Sequence, residues 1–345
     1  KIFGYQIQQS VKSFLEINRK TMKTIKYRDI NHSLDFKNVK MNIKEYFQRN
    51  QEILSIYVDN LDDIDSKIDM INLTEKQIRN FNIDTFINFK YTDKKIFIQI
   101  QEILSNIFNY KLFVNEGKGD KWGAYTLLKK LNITICPYCN RNYIHTYIEK
   151  DGMCRADIDH FYPKSKYPFL AVSLYNFIPS CHICNSSFKN AVDTFLLPHL
   201  YPYKNGFDKD AKFKTSFYTN KDIDTIKKKA YDINYLIGNS DNFKIDIEIV
   251  NCGSDIGKRI QNSIQTFHLE DLYNFHKDYV RELIKKAIIY NESRVDELYT
   301  QYPELFSSRD EVLQMVVSNY ICEEDLGKRP LAKLTKDICE ELGLS

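Results

Sequence analysis

Two Cys-x-x-Cys pairs constrain this chain more than anything else in it: Cys136-Pro-Tyr-Cys139 and Cys181-His-Ile-Cys184, with 41 residues between them. Two thiols on a tight turn present two sulfurs to one point, and two such turns complete a tetrahedron. Thiolates are soft ligands that suit zinc, and a closed four-sulfur shell leaves no open coordination position. The spacing therefore predicts one structural zinc ion held by Cys136, Cys139, Cys181 and Cys184. His182, between the second pair, is read as a solvent-facing knuckle residue.

The other four cysteines, Cys154, Cys252, Cys322 and Cys339, show no pairing pattern. Eight cysteines in 345 residues are too sparse for a disulfide scaffold, which points to a reducing compartment and the cytoplasm. Lys1 to Ser10 lack the apolar run of a signal peptide, and the start at Lys suggests that part of a native N-terminus is missing. No run approaches the roughly 18 apolar residues that span a bilayer. Net charge is only +3, so composition alone does not announce a polyanionic partner. The charge is uneven, however: Lys129 to Asn190 carries eight Lys/Arg against four acids. A local basic surface is what a phosphate backbone requires.

Glycine (11) and proline (8) are scarce while Lys, Ile, Leu and Glu are abundant, which favours a mostly helical α+β chain. Three regions follow. Residues 1–130 read as helices, with apolar spacings of three and four over 46–61 and 96–112 and a further helix over 122–131. Residues 131–200 change character. Tyr143 to Ile148 alternates, Asp151-Gly152 is a hairpin turn, Met153 to Phe161 and Asn176 to Ser180 are strand candidates, and 185–191 is a short helix. Residues 201–345 are mixed, then helical. Strands are expected over 212–218 and 243–250, a long amphipathic helix over 269–290, and a final helix after the basic break at Lys328-Arg-Pro330.

Between the cysteine pairs lies Asp157-Ile-Asp159-His160-Phe-Tyr-Pro163, followed by Asn176 and then Cys184-Asn185-Ser-Ser-Phe-Lys189. This order resembles the HNH endonucleases of ββα-metal fold, in particular variants with two zinc knuckles such as the phage junction-resolving type. The match covers about 55 residues. The resemblance implies a small ββα-metal core embedded between helical regions. It makes His160 the general base. Asp159 and Asn185 become ligands of a catalytic Mg²⁺ or Mn²⁺, Asn176 a brace that orients His160 through backbone contacts, and Lys189 a phosphate contact. The residue types suit that chemistry. A neutral imidazole can deprotonate water near neutral pH, and a hard cation on carboxylate and amide oxygens can stabilise phosphate and leaving group. Strand alternation would send Asp159 and His160 to opposite faces, so the backbone is expected to leave regular strand geometry there. Asp157, on the Asp159 face, is a lesser ligand candidate.

Phrases such as Asp159-His-Phe-Tyr-Pro-Lys-Ser-Lys-Tyr-Pro-Phe169 and Leu269-Glu-Asp-Leu-Tyr-Asn-Phe-His276 are similar to bacterial HNH proteins of anti-phage defence, including Septu-type nucleases. That similarity implies an ATPase partner for the helical flanks. DNA is the expected substrate. The alternatives are RNA, tRNA included, and a zinc-stabilised nucleic-acid-binding module without turnover. Cys136-Pro-Tyr-Cys139 alone also resembles a glutaredoxin redox motif, but that reading leaves the second pair without a role.

Overall fold

The computed structural model describes residues 110–116, 123–149, 151–167, 170–222 and 228–344. The periodic segments over 46–61 and 96–109 lie outside them. The described chain is an α+β fold of short helices and three two-stranded antiparallel sheets. Among the described residues, no helix is long and apolar enough to cross a membrane.

Helix α1 (Tyr110–Glu116) precedes α2 (Ala124–Leu131). Helix α2 buries Ala124, Leu127, Leu128 and Leu131 at helical spacing and stops at Asn132, which takes the left-handed conformation. The expected hairpin forms from β1 (Tyr147–Glu149) and β2 (Gly152–Cys154). The strand expected from Met153 to Phe161 does not run through. It divides into β2 and β3 (Asp157–His160), which belong to different sheets. Strand β2 is exposed along its length whereas β3 is buried beyond Asp157, and one straight strand cannot serve both surfaces. Strand β3 pairs with β4 (Phe177–Ser180), setting Asp159 opposite Ile178 and His160 opposite Phe177. A seven-residue π-helical segment, Ile183–Lys189, follows and packs on β3.

Strands β5 (Ala211–Phe217) and β6 (Phe243–Ile249) form the third sheet, with Phe213, Phe243, Ile245 and Ile247 buried. Carboxylates of α8 (Ala332–Glu341) satisfy the outer edge of β5: Phe213 N–H donates to Asp337 at 2.9 Å and Thr215 N–H to Glu341 at 3.0 Å. Between them come α3 (Asp255–Thr266), α4 (Leu269–Tyr273), α5 (Lys277–Ile289), α6 (Glu292–Gln301) and α7 (Arg309–Val317). The single helix expected over 269–290 is thus interrupted, by a 3₁₀ turn at Asn274–His276. The cause is Asn274, whose side chain binds both the N–H and the carbonyl of Ile245 on β6, at 3.0 and 2.8 Å. That docking outweighs continuous helix propensity.

One apolar core runs from Phe113 to Leu344 and takes in the cysteine knuckles. The first knuckle is gripped by the C-terminal helices. Tyr138 stacks on Phe267 with ring centres 4.5 Å apart, and Tyr273 Oη donates to the Cys139 carbonyl at 2.7 Å. Asn140, left-handed at φ 49°, donates to Leu326 O and accepts from Lys333 N–H.

Candidate metal centre and histidine strand

The four cysteine sulfurs all lie within 4.8 Å of one another and all four residues are buried. Zinc–sulfur bonds of about 2.3 Å in a tetrahedron place sulfurs roughly 3.8 Å apart. Cys139 Sγ and Cys181 Sγ are 4.0 Å apart, so the cluster fits a metal such as zinc. Hydrogen-bond donors gather at the Cys181 sulfur. Asn142 Nδ2 donates to Cys181 Sγ at 3.3 Å, and the Cys184 N–H points to the same sulfur at 3.5 Å. Burial pushes the Cys136 thiol well up, while hydrogen bonds from its neighbours hold Cys139 and Cys181 down. Four sulfurs so enclosed share their charge best with one cation at their centre. Zinc there would tie the chain between α2 and β1 to the segment that follows β4.

Strand β3 distributes its side chains by the ordinary alternation of a strand. The departure from strand geometry expected at Asp159-His160 is absent: both residues stay in register with β4. Asp157 and Asp159 meet the π-helical segment, and His160 turns the other way.

Asp159 is buried, 2% exposed, and both its oxygens are engaged. Lys189 Nζ lies 3.1 Å from each of them, and Tyr138 Oη donates to Oδ2 at 2.5 Å. The same ammonium donates to the His160 carbonyl at 2.7 Å. Burial pushes the Asp159 carboxyl up and the Lys189 amine down, each against the attraction of its partner. Lys189 was expected at a phosphate. It is instead fully buried, because the strand and the π-helical turn enclose it, and Asp159 is its ion-pair partner. Asn185 does not meet Asp159 either. Its Nδ2 donates to Asp157 Oδ2 at 3.1 Å, and His182 Nδ1 lies 2.9 Å from the same oxygen. As arranged, Asp159 and Asn185 do not form a common cradle for a divalent ion, since an ammonium already occupies the carboxylate.

Breaking this pair has a defined consequence. Lys189→Met leaves a buried carboxylate without its cation and should cost about 3–5 kcal/mol. Urea denaturation should show Asp159→Asn/Lys189→Met recovering most of that loss. A double variant no more stable than the single would contradict the pairing.

His160 is also buried, at 6% exposed. Its ring meets Tyr110 edge-on at 4.5 Å and Phe177 at 5.3 Å. Nε2 lies 2.9 Å from the Ala171 carbonyl. A carbonyl only accepts, so Nε2 carries the proton and the neutral ring keeps its lone pair on Nδ1. Asn176, wholly buried, holds the intervening loop: Oδ1 accepts from Tyr162 N–H at 2.7 Å, and Nδ2 donates to Tyr162 O and Leu170 O. The loop so clamped carries Ala171, which orients the histidine.

Burial, helped by the nearby Lys164 charge, lowers the His160 pKa from 6.5 to about 3. The unfolded chain takes up this proton near pH 6.5 and the folded chain refuses it until about pH 3. Stability on this account is complete above pH 6.5 and falls as pH drops through that window, by a total on the order of 4 kcal/mol. His160→Gln, which does not titrate, should lose less stability between pH 7 and pH 4 than the parent. The comparison isolates His160 because the cysteine thiolates titrate in both proteins. Equal losses would contradict it.

Sequence reasoning missed Tyr138, Tyr110 and Lys164. Tyr138 stands inside the first knuckle and joins it to Asp159. Tyr110 and Lys164 flank the histidine, with Lys164 Nζ 4.8 Å from the Tyr110 ring centre. No spacing rule marks an aromatic in a helix as the neighbour of a histidine in a strand 50 residues on.

A scan of family models, a search of curated proteins and a search of solved structures each found nothing that matches this chain.

Proposed function

We propose that the chain is an HNH-type endonuclease that hydrolyses phosphodiester bonds, with DNA as substrate. The observation that carries this reading is His160. Its Nε2 is fixed on a carbonyl, the ring is held neutral, and Nδ1 has a free lone pair among the described residues. That tautomer is the one a general base needs, while burial and the Lys164 charge hold its basicity down, so a bound phosphate must offset them before the ring takes a proton from water. A β3–β4 pair, a helical segment packed on it and a four-cysteine cluster beside it support the ββα reading of the motif. Zinc on the four cysteines holds the frame and takes no part in the chemistry, because four thiolates close its shell.

On this reading Asp159 anchors Lys189, and the pair fixes the end of β3 from which His160 projects. Asp157 and Asn185 present oxygen atoms at a partly exposed surface on the Asp159 side. The reading extends to an effector role in anti-phage defence with an ATPase partner, which rests on the motif likeness alone. The test is a cleavage panel: supercoiled plasmid, linear duplex, single-stranded DNA and structured RNA including tRNA, each with Mg²⁺, with Mn²⁺ or with chelator. Divalent-dependent cuts in DNA are expected. Cuts confined to RNA would move the substrate class, and binding to every probe with no cut to any would favour a zinc-stabilised binding module.

A further inference from the structure

Lys189 is bonded to Asp159 and unavailable to a phosphate, whereas other cations stand near His160. Three lysines lie on or near the histidine loop and its neighbours. Lys189 is neutralised by Asp159, and Lys166 is paired with Asp193 at 3.2 Å. Lys164 forms no ion pair among the described residues; the Asp159 carboxylate, bonded to Lys189, acts on it only at longer range. Its ammonium stands over the face of Tyr110, whose edge in turn meets the His160 ring at 4.5 Å. A second cation, Arg155, shares that isolation. Its guanidinium donates to the Ala156 carbonyl and lies over the Tyr125 ring, and no acid neutralises it among the described residues. Both charges act on Tyr110 or His160: Arg155 opposes the burial that pushes the Tyr110 hydroxyl up to about 12, and Lys164 helps lower His160.

The place of Lys164 is fixed by the fold. It sits in the turn after Pro163, whose carbonyl accepts from the N–H groups of Lys166 and Tyr167. Asn176 clamps that turn through Tyr162 on one side and Leu170 on the other. A cation held over an aromatic face gains about 0.5–2 kcal/mol from the ring and keeps its N–H donors for an anion. Holding it beside a proton acceptor, with the Asp159 carboxylate already bonded to Lys189, is an arrangement an approaching phosphate would complete.

We infer that Lys164, over the Tyr110 ring, and Arg155, whose charge acts on the same tyrosine, bind phosphates of the strand to be cut, with Lys164 on the phosphate nearest His160. This rests on the nuclease reading above. The experiment measures equilibrium binding of a short DNA duplex by fluorescence anisotropy across a salt series. It uses the full chain carrying His160→Ala so that no turnover intervenes. Lys164→Gln and Arg155→Gln, each added to that background, should weaken binding roughly tenfold and lower the salt slope by about 1. Lys164→Arg should retain most of the affinity. Lys166→Gln, whose charge is already paired, should leave affinity and slope unchanged. Thermal melts confirm that each variant is folded, since none of these side chains is wholly buried. Parent binding with Lys164→Gln unchanged in affinity and slope overturns this inference alone. No binding by the parent chain and no cleavage by the wild type overturns the nuclease reading and this inference with it.

Discussion

Cys181→Ser should lose its metal and, with it, the cooperative fold of the region around β3 and β4. Cys181 is the sulfur on which the local hydrogen bonds converge, from Asn142 and from the Cys184 N–H. A hydroxyl is a poor zinc ligand and leaves three thiols crowded in a buried space. Structural zinc contributes on the order of 10 kcal/mol, comparable with the entire stability of a domain at about 5–15 kcal/mol. The loss is not confined to the knuckle. Tyr138 between Cys136 and Cys139 bonds Asp159, and Cys139 and Asn140 are bonded by Tyr273, Leu326 and Lys333 from the C-terminal helices. Releasing the metal therefore loosens the strand and the helices together. The parent protein should contain one zinc per chain, and a strong chelator should reproduce the variant's melting curve. Cys252→Ser, at an exposed cysteine outside the cluster, should melt like the parent. A Cys181→Ser protein with the parent's melting temperature would remove zinc from its structural role.

The four-cysteine cluster was legible because four thiols at knuckle spacing have few other uses. The mixed α+β character, the β1–β2 hairpin and the strands β4, β5 and β6 were legible from alternation and turn residues, whereas the division of β2 from β3 and the pairing of β5 with β6 were not. Other features depend on contacts across long sequence distance. Nothing local at Asn274 announces that its amide will cap the ladder at Ile245 and break a helix. Lys189 reads as a surface lysine in a basic segment. Its burial follows from the wide π-helical turn that places it under β3, where Asp159 makes that burial tolerable. The same turn carries Asn185 to Asp157, which is why the expected pairing with Asp159 does not form. Strand periodicity did foretell that Asp157 and Asp159 share a face and that His160 leaves it. The expectation of a local distortion to reunite them was unnecessary for the fold.

On the proposed reading the histidine and the cysteines divide their labour, and that division separates a nuclease from a zinc-stabilised binder. His160→Ala removes the proposed proton acceptor while leaving all four cysteines, the Asp159–Lys189 pair and the Asn176 clamp in place. Its direct structural cost is the lost packing against Tyr110 and Phe177 and one hydrogen bond to Ala171. General-base catalysis is worth about 10²–10⁴-fold in rate, so cleavage should fall by that factor with binding retained. The decisive measurement is the initial rate of plasmid cleavage by parent and His160→Ala proteins of equal zinc content. Loss of about a hundredfold or more in the variant, at unchanged zinc stoichiometry and DNA affinity, is the predicted result. Equal rates for the two proteins would contradict the account.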